Sequence, residues 1–166
     1  MSRVELVRNK LLDLLRGGDA HMDFEDVVQD FPVGRINEKG PHMPYSPWHI
    51  LEHMRLAQWD ILEFIRNPEH ISPPYPEGYR PGSQESADAE QWRQSVEAYR
   101  SDRQALQDLV ADPETNLLGP IPHAPEYTVF REILVVSDHN AYHIGELALL
   151  RQVLDAWSAD KPYLTG

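Results

Sequence analysis

The sequence predicts an all-α protein, a four-helix bundle with proline-rich loops. Three observations carry this. Four long segments repeat apolar residues at the helical period. Their ends carry helix start and stop residues. No segment shows the strict alternation of a half-buried strand. The 166 residues suffice for one domain, 1–166, with a core that folds unaided.

The elements follow in order. Val4, Leu6, Val7, Leu11, Leu12, Leu14 and Leu15 predict a first helix over about residues 2–16, stopped by Gly17 and Gly18. Phe24, Val27 and Val28 predict a short helix over 24–30, before Phe31-Pro32. Residues 34–45 read as loop. The second long helix has Ser46 as cap and Pro47 at its first position, where a missing N–H costs nothing. Ile50, Met54, Ala57, Ile61, Phe64 and Ile65 form its buried stripe, and it ends near Asn67-Pro68. The loop from Pro68 to Ser83 holds Pro73, Pro74, Pro76 and Pro81 with Tyr75 and Tyr79, and predicts an ordered cover.

The third long helix is expected from about Ser86 to Ala111, with Trp92, Val96, Tyr99, Leu106 and Leu109 inward and Asp112-Pro113 ending it. A Gly/Pro loop spans 113–127. The fourth runs from the cap Thr128 to about Leu154, with Val129, Ile133, Val136, Leu147, Leu150 and Leu154 as its stripe. Trp48, Trp59, Trp92 and Trp157 are expected as core or interface anchors.

Composition excludes several functions. The chain has no cysteine, which removes disulfides, thiolate metal sites and a cysteine nucleophile. A net charge of −12 repels phosphate backbones, so no nucleic-acid partner is expected. No apolar run is long enough for a bilayer, and the N-terminal residues are charged and amphipathic rather than a leader. A cytoplasmic location is the expectation.

Three histidines carry the chemistry. His139 and His143 lie four residues apart, on one helix face. His53 sits beside Ile50, Met54 and Ala57 on the apolar face of another helix. A lone core histidine is usually structural, but three in one bundle are costly polar burials that a divalent metal would relieve. Three imidazoles leave one coordination position open, as catalytic sites do. His49, a turn before His53, is expected to face water, with a fourth-ligand or supporting role as the alternative. Glu146 is on the site side and reads equally as a further ligand, a general base or a solvated charge. Asp138 points about 100° away from His139 and is read as a surface or supporting group. Gly145 in mid-helix would be justified by a close helix approach or by room for a ligand. Zincin, di-iron, Walker and nucleophile-elbow patterns are absent from the sequence.

Ser-Pro-Trp-His-Ile-Leu-Glu-His (46–53) and Arg-Glu-Ile-Leu-Val-Val-Ser-Asp-His-Asn-Ala-Tyr-His-Ile-Gly-Glu-Leu (131–147) resemble the signatures of the DinB-like (DinB/YfiT) metal-binding bundles. Tyr-Pro-Glu-Gly-Tyr-Arg-Pro (75–81) and residues 149–157 are also similar, so the resemblance covers nearly the whole chain. It implies an up-down-down-up bundle, often a homodimer, with zinc or nickel on His53, His139 and His143. It further implies a small-molecule substrate and thiol S-transferase chemistry with a low-molecular-weight thiol such as bacillithiol or mycothiol, or isomerisation of the maleylpyruvate kind. Metal-dependent hydrolysis and a non-catalytic metal-binding stress-response bundle are the alternatives. The second of these predicts no cleft at the open position, or that position filled by Glu146 or His49.

Overall fold

The computed structural model describes residues 2–158. Its helices are α1 (Arg3–Arg16), α2 (Phe24–Val28), α3 (Pro47–Arg66), α4 (Ala89–Ala111) and α5 (Val129–Val153). Long helix α3 packs on α4 and α5, and α1 packs on the same two. Short 3₁₀ turns at Val33–Arg35 and Glu77–Tyr79 interrupt the loops. No helix among the described residues is long and apolar enough to cross a membrane.

The helix ends follow from local chemistry. Ser2, Asp23 and Asp88 close capping boxes with Glu5, Asp26 and Gln91, satisfying otherwise orphaned N–H groups. Gly17 ends α1 at φ +72°, a conformation that suits a residue without a Cβ. Pro47 opens α3 as expected, with Ser46 Oγ accepting from the His49 N–H. Helix α4 begins three residues later than expected. The Asn37 side chain takes both backbone groups of Ala87, accepting from its N–H (2.9 Å) and donating to its carbonyl (2.8 Å), so the chain enters the helix only after Asp88. The short helix α2 stops at Val28 rather than at residue 30, where Asp30 adopts φ +54°.

One expectation is corrected outright. The loop before α5 contains an antiparallel hairpin, β1 (Pro120–Ile121) with β2 (Ala124–Thr128). Strands this short, holding Pro120 and Pro125, cannot display a period-2 pattern. The hairpin is fastened to α3 by His123 Nε2, which donates to the Phe64 carbonyl at 2.8 Å.

Two apolar clusters fill the interior. One joins Phe24, Leu51, Met54, Tyr99, Ile144 and Leu147, the other Leu11, Leu62, Leu106, Ile133 and Val136. Between α3, α4 and α5 lies a buried polar link: Gln58, fully buried, donates to the Tyr99 carbonyl (2.8 Å) and accepts from Asn140 Nδ2 (3.0 Å). An amide with both ends bonded fixes the axial register of three helices. Arg151 clamps the far end. It is 2% exposed, donates to the carbonyls of Val27 (3.0 Å), Gln29 (2.9 Å) and Ala156 (3.0 Å), and stacks over Trp157. Trp48 and Trp92 are core residues, while Trp59 and Trp157 are only partly buried; Trp59 meets His70 edge-on.

Candidate metal centre

Helices α3 and α5 bring His53, His139 and His143 together. Their ring centroids lie 4.5–4.9 Å apart, and one nitrogen from each falls within 4.8 Å of the others, a group that could hold a metal ion. His139 Nε2 stands 3.0 Å from His53 Nε2. Two ligands on one tetrahedral zinc, each about 2.05 Å from it, are separated by about 3.3 Å. The observed spacing is close to that.

The tautomers suit a cation. His53 Nδ1 lies 2.7 Å from the Tyr79 carbonyl, which can only accept, so Nδ1 carries the proton and Nε2 keeps its lone pair. His143 Nδ1 lies 2.7 Å from Glu146 Oε2 and donates to it, which leaves its Nε2 free as well. Ligating histidines have such partners on their distal nitrogens. The third ring differs. His139 Nδ1 is buried with no partner among the described residues. Because His53 Nε2 holds a lone pair, the approach of His139 Nε2 requires either a donated proton or a shared cation.

Burial and neighbouring charge disfavour protonation of His139 and His53. Burial, then the charges of His143 and His53, push His139 down to about 4. Burial also lowers His53, against the opposing pull of the Tyr79 carbonyl. Glu146 is lowered, chiefly by its bond to His143. Two imidazoles biased toward the neutral form, beside a carboxylate biased toward the ionised one, suit a divalent metal. The residues present therefore fit such an ion.

The proline-rich loop is laced to α3 by polar side chains on one helix face. His49 is 3% exposed, so the expectation that it faces water is overturned. Its Nδ1 meets Ser46 Oγ (2.6 Å) and its Nε2 donates to the Gly82 carbonyl (3.0 Å), so both nitrogens are occupied and neither is a ligand. His53 holds Tyr79 four residues on. Asp60 follows seven residues later, accepting from the Tyr79 hydroxyl (2.6 Å) and His70 Nε2 (2.7 Å). Burial and this bond push the Tyr79 hydroxyl up to about 12, so it stays a donor.

Beside the histidines a cleft of about 260 Å³ opens to solvent, lined by Tyr45, His49, Ile50, His53, Arg80, Tyr142, His143 and Glu146. His49 has both nitrogens hydrogen-bonded, and Glu146 lies on the cleft wall with Oε2 on His143. Asp138 is exposed and lines a separate hollow on the other side of α5. Gly145 faces open space, with nothing near an added Cβ, so no close helix contact accounts for it.

Sequence reasoning missed Arg80, Tyr79, Asp60, Gln58 and Asn140. Asp60 was findable, since it shares the α3 face of His53. A backbone carbonyl and a loop arginine carry no periodic signal. No curated protein and no solved structure matches the chain. The family model of the DinB superfamily matches residues 7–147. With the three-histidine cluster and most of the helical architecture inside that span, the chain belongs to the DinB superfamily.

Proposed function

We propose that this chain is a cytoplasmic metal-dependent enzyme that transfers a low-molecular-weight thiol to a small electrophilic molecule. In this reading His53, His139 and His143 hold one divalent ion, zinc or nickel, within an up-down-down-up four-helix bundle. When bound, the ion would act as a Lewis acid that acidifies a thiol placed on its open side.

The chain's residues do the rest. The Tyr79 carbonyl and the Glu146 carboxylate fix the proton positions of His53 and His143, so the lone pairs of both rings face inward. Burial keeps His139 neutral. Glu146, at the cleft wall, is the carboxylate placed to take the thiol proton directly, since His143 gives its Nδ1 proton to Glu146 and keeps its Nε2 for the ion. Tyr45 and Tyr142 supply apolar surface to a guest. The observation that carries the reading is the cleft itself. A non-catalytic bundle calls for none, and here the cleft stays open beside the histidines, with both His49 nitrogens bonded and Glu146 Oε2 on His143. A second copy of the chain is the partner we propose for the outer face of α5, where Val135, Tyr142 and Leu149 stand exposed at heptad spacing; sedimentation equilibrium tests it.

The test begins with metal content. Purified protein should take up about one equivalent of zinc or nickel, and His139→Ala or His143→Ala should lose it. Full occupancy in both variants would remove the site. A screen of thiols against an electrophilic probe, with and without metal, then tests the chemistry. Turnover that needs metal but no thiol selects hydrolysis, and metal uptake without turnover selects the stress-response bundle.

A further inference from the structure

Arg80 lines the cleft and lies outside the three-histidine set. Its guanidinium stacks on the Tyr45 ring at 4.4 Å from the centroid. It forms no ion pair or hydrogen bond with any described residue, although Arg55, Arg66, Arg93, Arg100, Arg103 and Arg131 in this acidic chain all pair with carboxylates. Stacking fixes the plane of a guanidinium while its N–H edge stays available. Arg80 is also close enough to the histidines and to Glu146 for its charge to act on His53, His139 and Glu146.

Charge balance gives this placement meaning. Three neutral imidazoles with a dication carry +2. Arg80 adds one positive charge and Glu146 removes one. A partly buried site with an excess of about two positive charges is poorly stabilised unless an anion enters it. A single carboxylate beside the open coordination position is well matched to an arginine whose fork is unused.

We infer that one of the molecules reacting in this cleft carries a carboxylate, and that Arg80 binds it. The inference rests on the cleft being the reaction site. The carboxylate belongs either to the thiol or to the molecule that receives it, and the shared chemistry is an anionic oxygen pair held by the guanidinium edge.

Two arms test this and separate the sources. In the first, protein loaded with cobalt(II) is titrated with mercaptoacetate and with 2-mercaptoethanol, reading the sulfur-to-cobalt charge-transfer band. Wild type should prefer mercaptoacetate, and Arg80→Gln should weaken it on the order of tenfold more than it weakens 2-mercaptoethanol. Arg80→Lys should restore part of the loss. In the second, metal-free protein is titrated with benzoate and with benzyl alcohol, following the Arg80 Nε–H and the neighbouring Tyr45 and Tyr142 signals by NMR. Benzoate should shift them saturably, benzyl alcohol should not, and Arg80→Gln should abolish the Tyr45 response. A positive first arm assigns the carboxylate to the thiol, and a positive second arm alone assigns it to the acceptor. If Arg80→Gln, folded by circular dichroism, changes neither arm, the inference is overturned. A protein that binds no cobalt fails the metal reading instead, and the second arm still decides the role of Arg80.

Discussion

Replacing Glu146 separates its possible roles. The carboxylate accepts one charge-assisted hydrogen bond from His143 Nδ1 at 2.7 Å, and its side chain is 33% exposed. Outer partners of ligating histidines contribute about 10- to 100-fold to metal affinity, or roughly 1.4–2.7 kcal/mol. Partial exposure favours the lower half of that range. A neutral acceptor makes a bond about half as strong. Glu146→Gln keeps an acceptor in place, so its zinc affinity should fall about threefold. Glu146→Ala removes it and should cost about 10- to 30-fold. His143→Ala removes a ligand and should cost far more than either. Competition against a chromophoric chelator at pH 7 measures all three. Equal losses in Glu146→Ala and His143→Ala would make Glu146 a ligand, and unchanged affinity in Glu146→Ala would mean that the contact orients nothing. Either result refutes the assignment.

Other substitutions give distinct outcomes. Asp60→Ala strands the Tyr79 hydroxyl and His70, which should destabilise the fold by about 1–3 kcal/mol and weaken metal binding by loosening the carbonyl that orients His53. Thermal melting and the same chelator competition read the two effects. Arg151→Met leaves the carbonyls of Val27, Gln29 and Ala156 without their donor, and should cost about 3–5 kcal/mol in urea denaturation, with the metal site unaffected in the protein that remains folded. The Arg100 guanidinium, bonded to Glu25, holds that carboxyl below its ordinary value near 4.5. A lowered folded-state pKa stabilises above the ordinary value and loses that contribution as pH falls through the lowered one. Wild type should therefore exceed Glu25→Gln by up to about 1 kcal/mol at pH 7, since the pair is partly exposed, and the difference should vanish in acid. A pH-independent difference between the two proteins would contradict this.

The helices were legible because their signals are local. Ser46-Pro47, Thr128 and Gly17 mark ends through chemistry within one turn of each residue. The histidine trio was legible for a related reason: two of the rings share a helix face, and the third stands on an apolar stripe. What escaped depends on tertiary placement. The delayed start of α4 is set by Asn37, some fifty residues upstream. His49 looked solvent-facing because only the folded loop supplies the Gly82 carbonyl that it bonds. The hairpin at Pro120–Thr128 was too short to show a period. Arg80 gained meaning only once the loop had laid it over Tyr45.

Consecutive residues of that loop serve opposite ends of the chemistry. The carbonyl of residue 79 bonds an imidazole of the trio, while the next side chain lines the cleft. If the trio holds an ion as proposed, exchanging this segment to alter the cleft would also retune how firmly that ion is kept. Chimeras that alter only residue 80 and preserve the anchor at Asp60 should escape that coupling, and grafts spanning the whole turn should not.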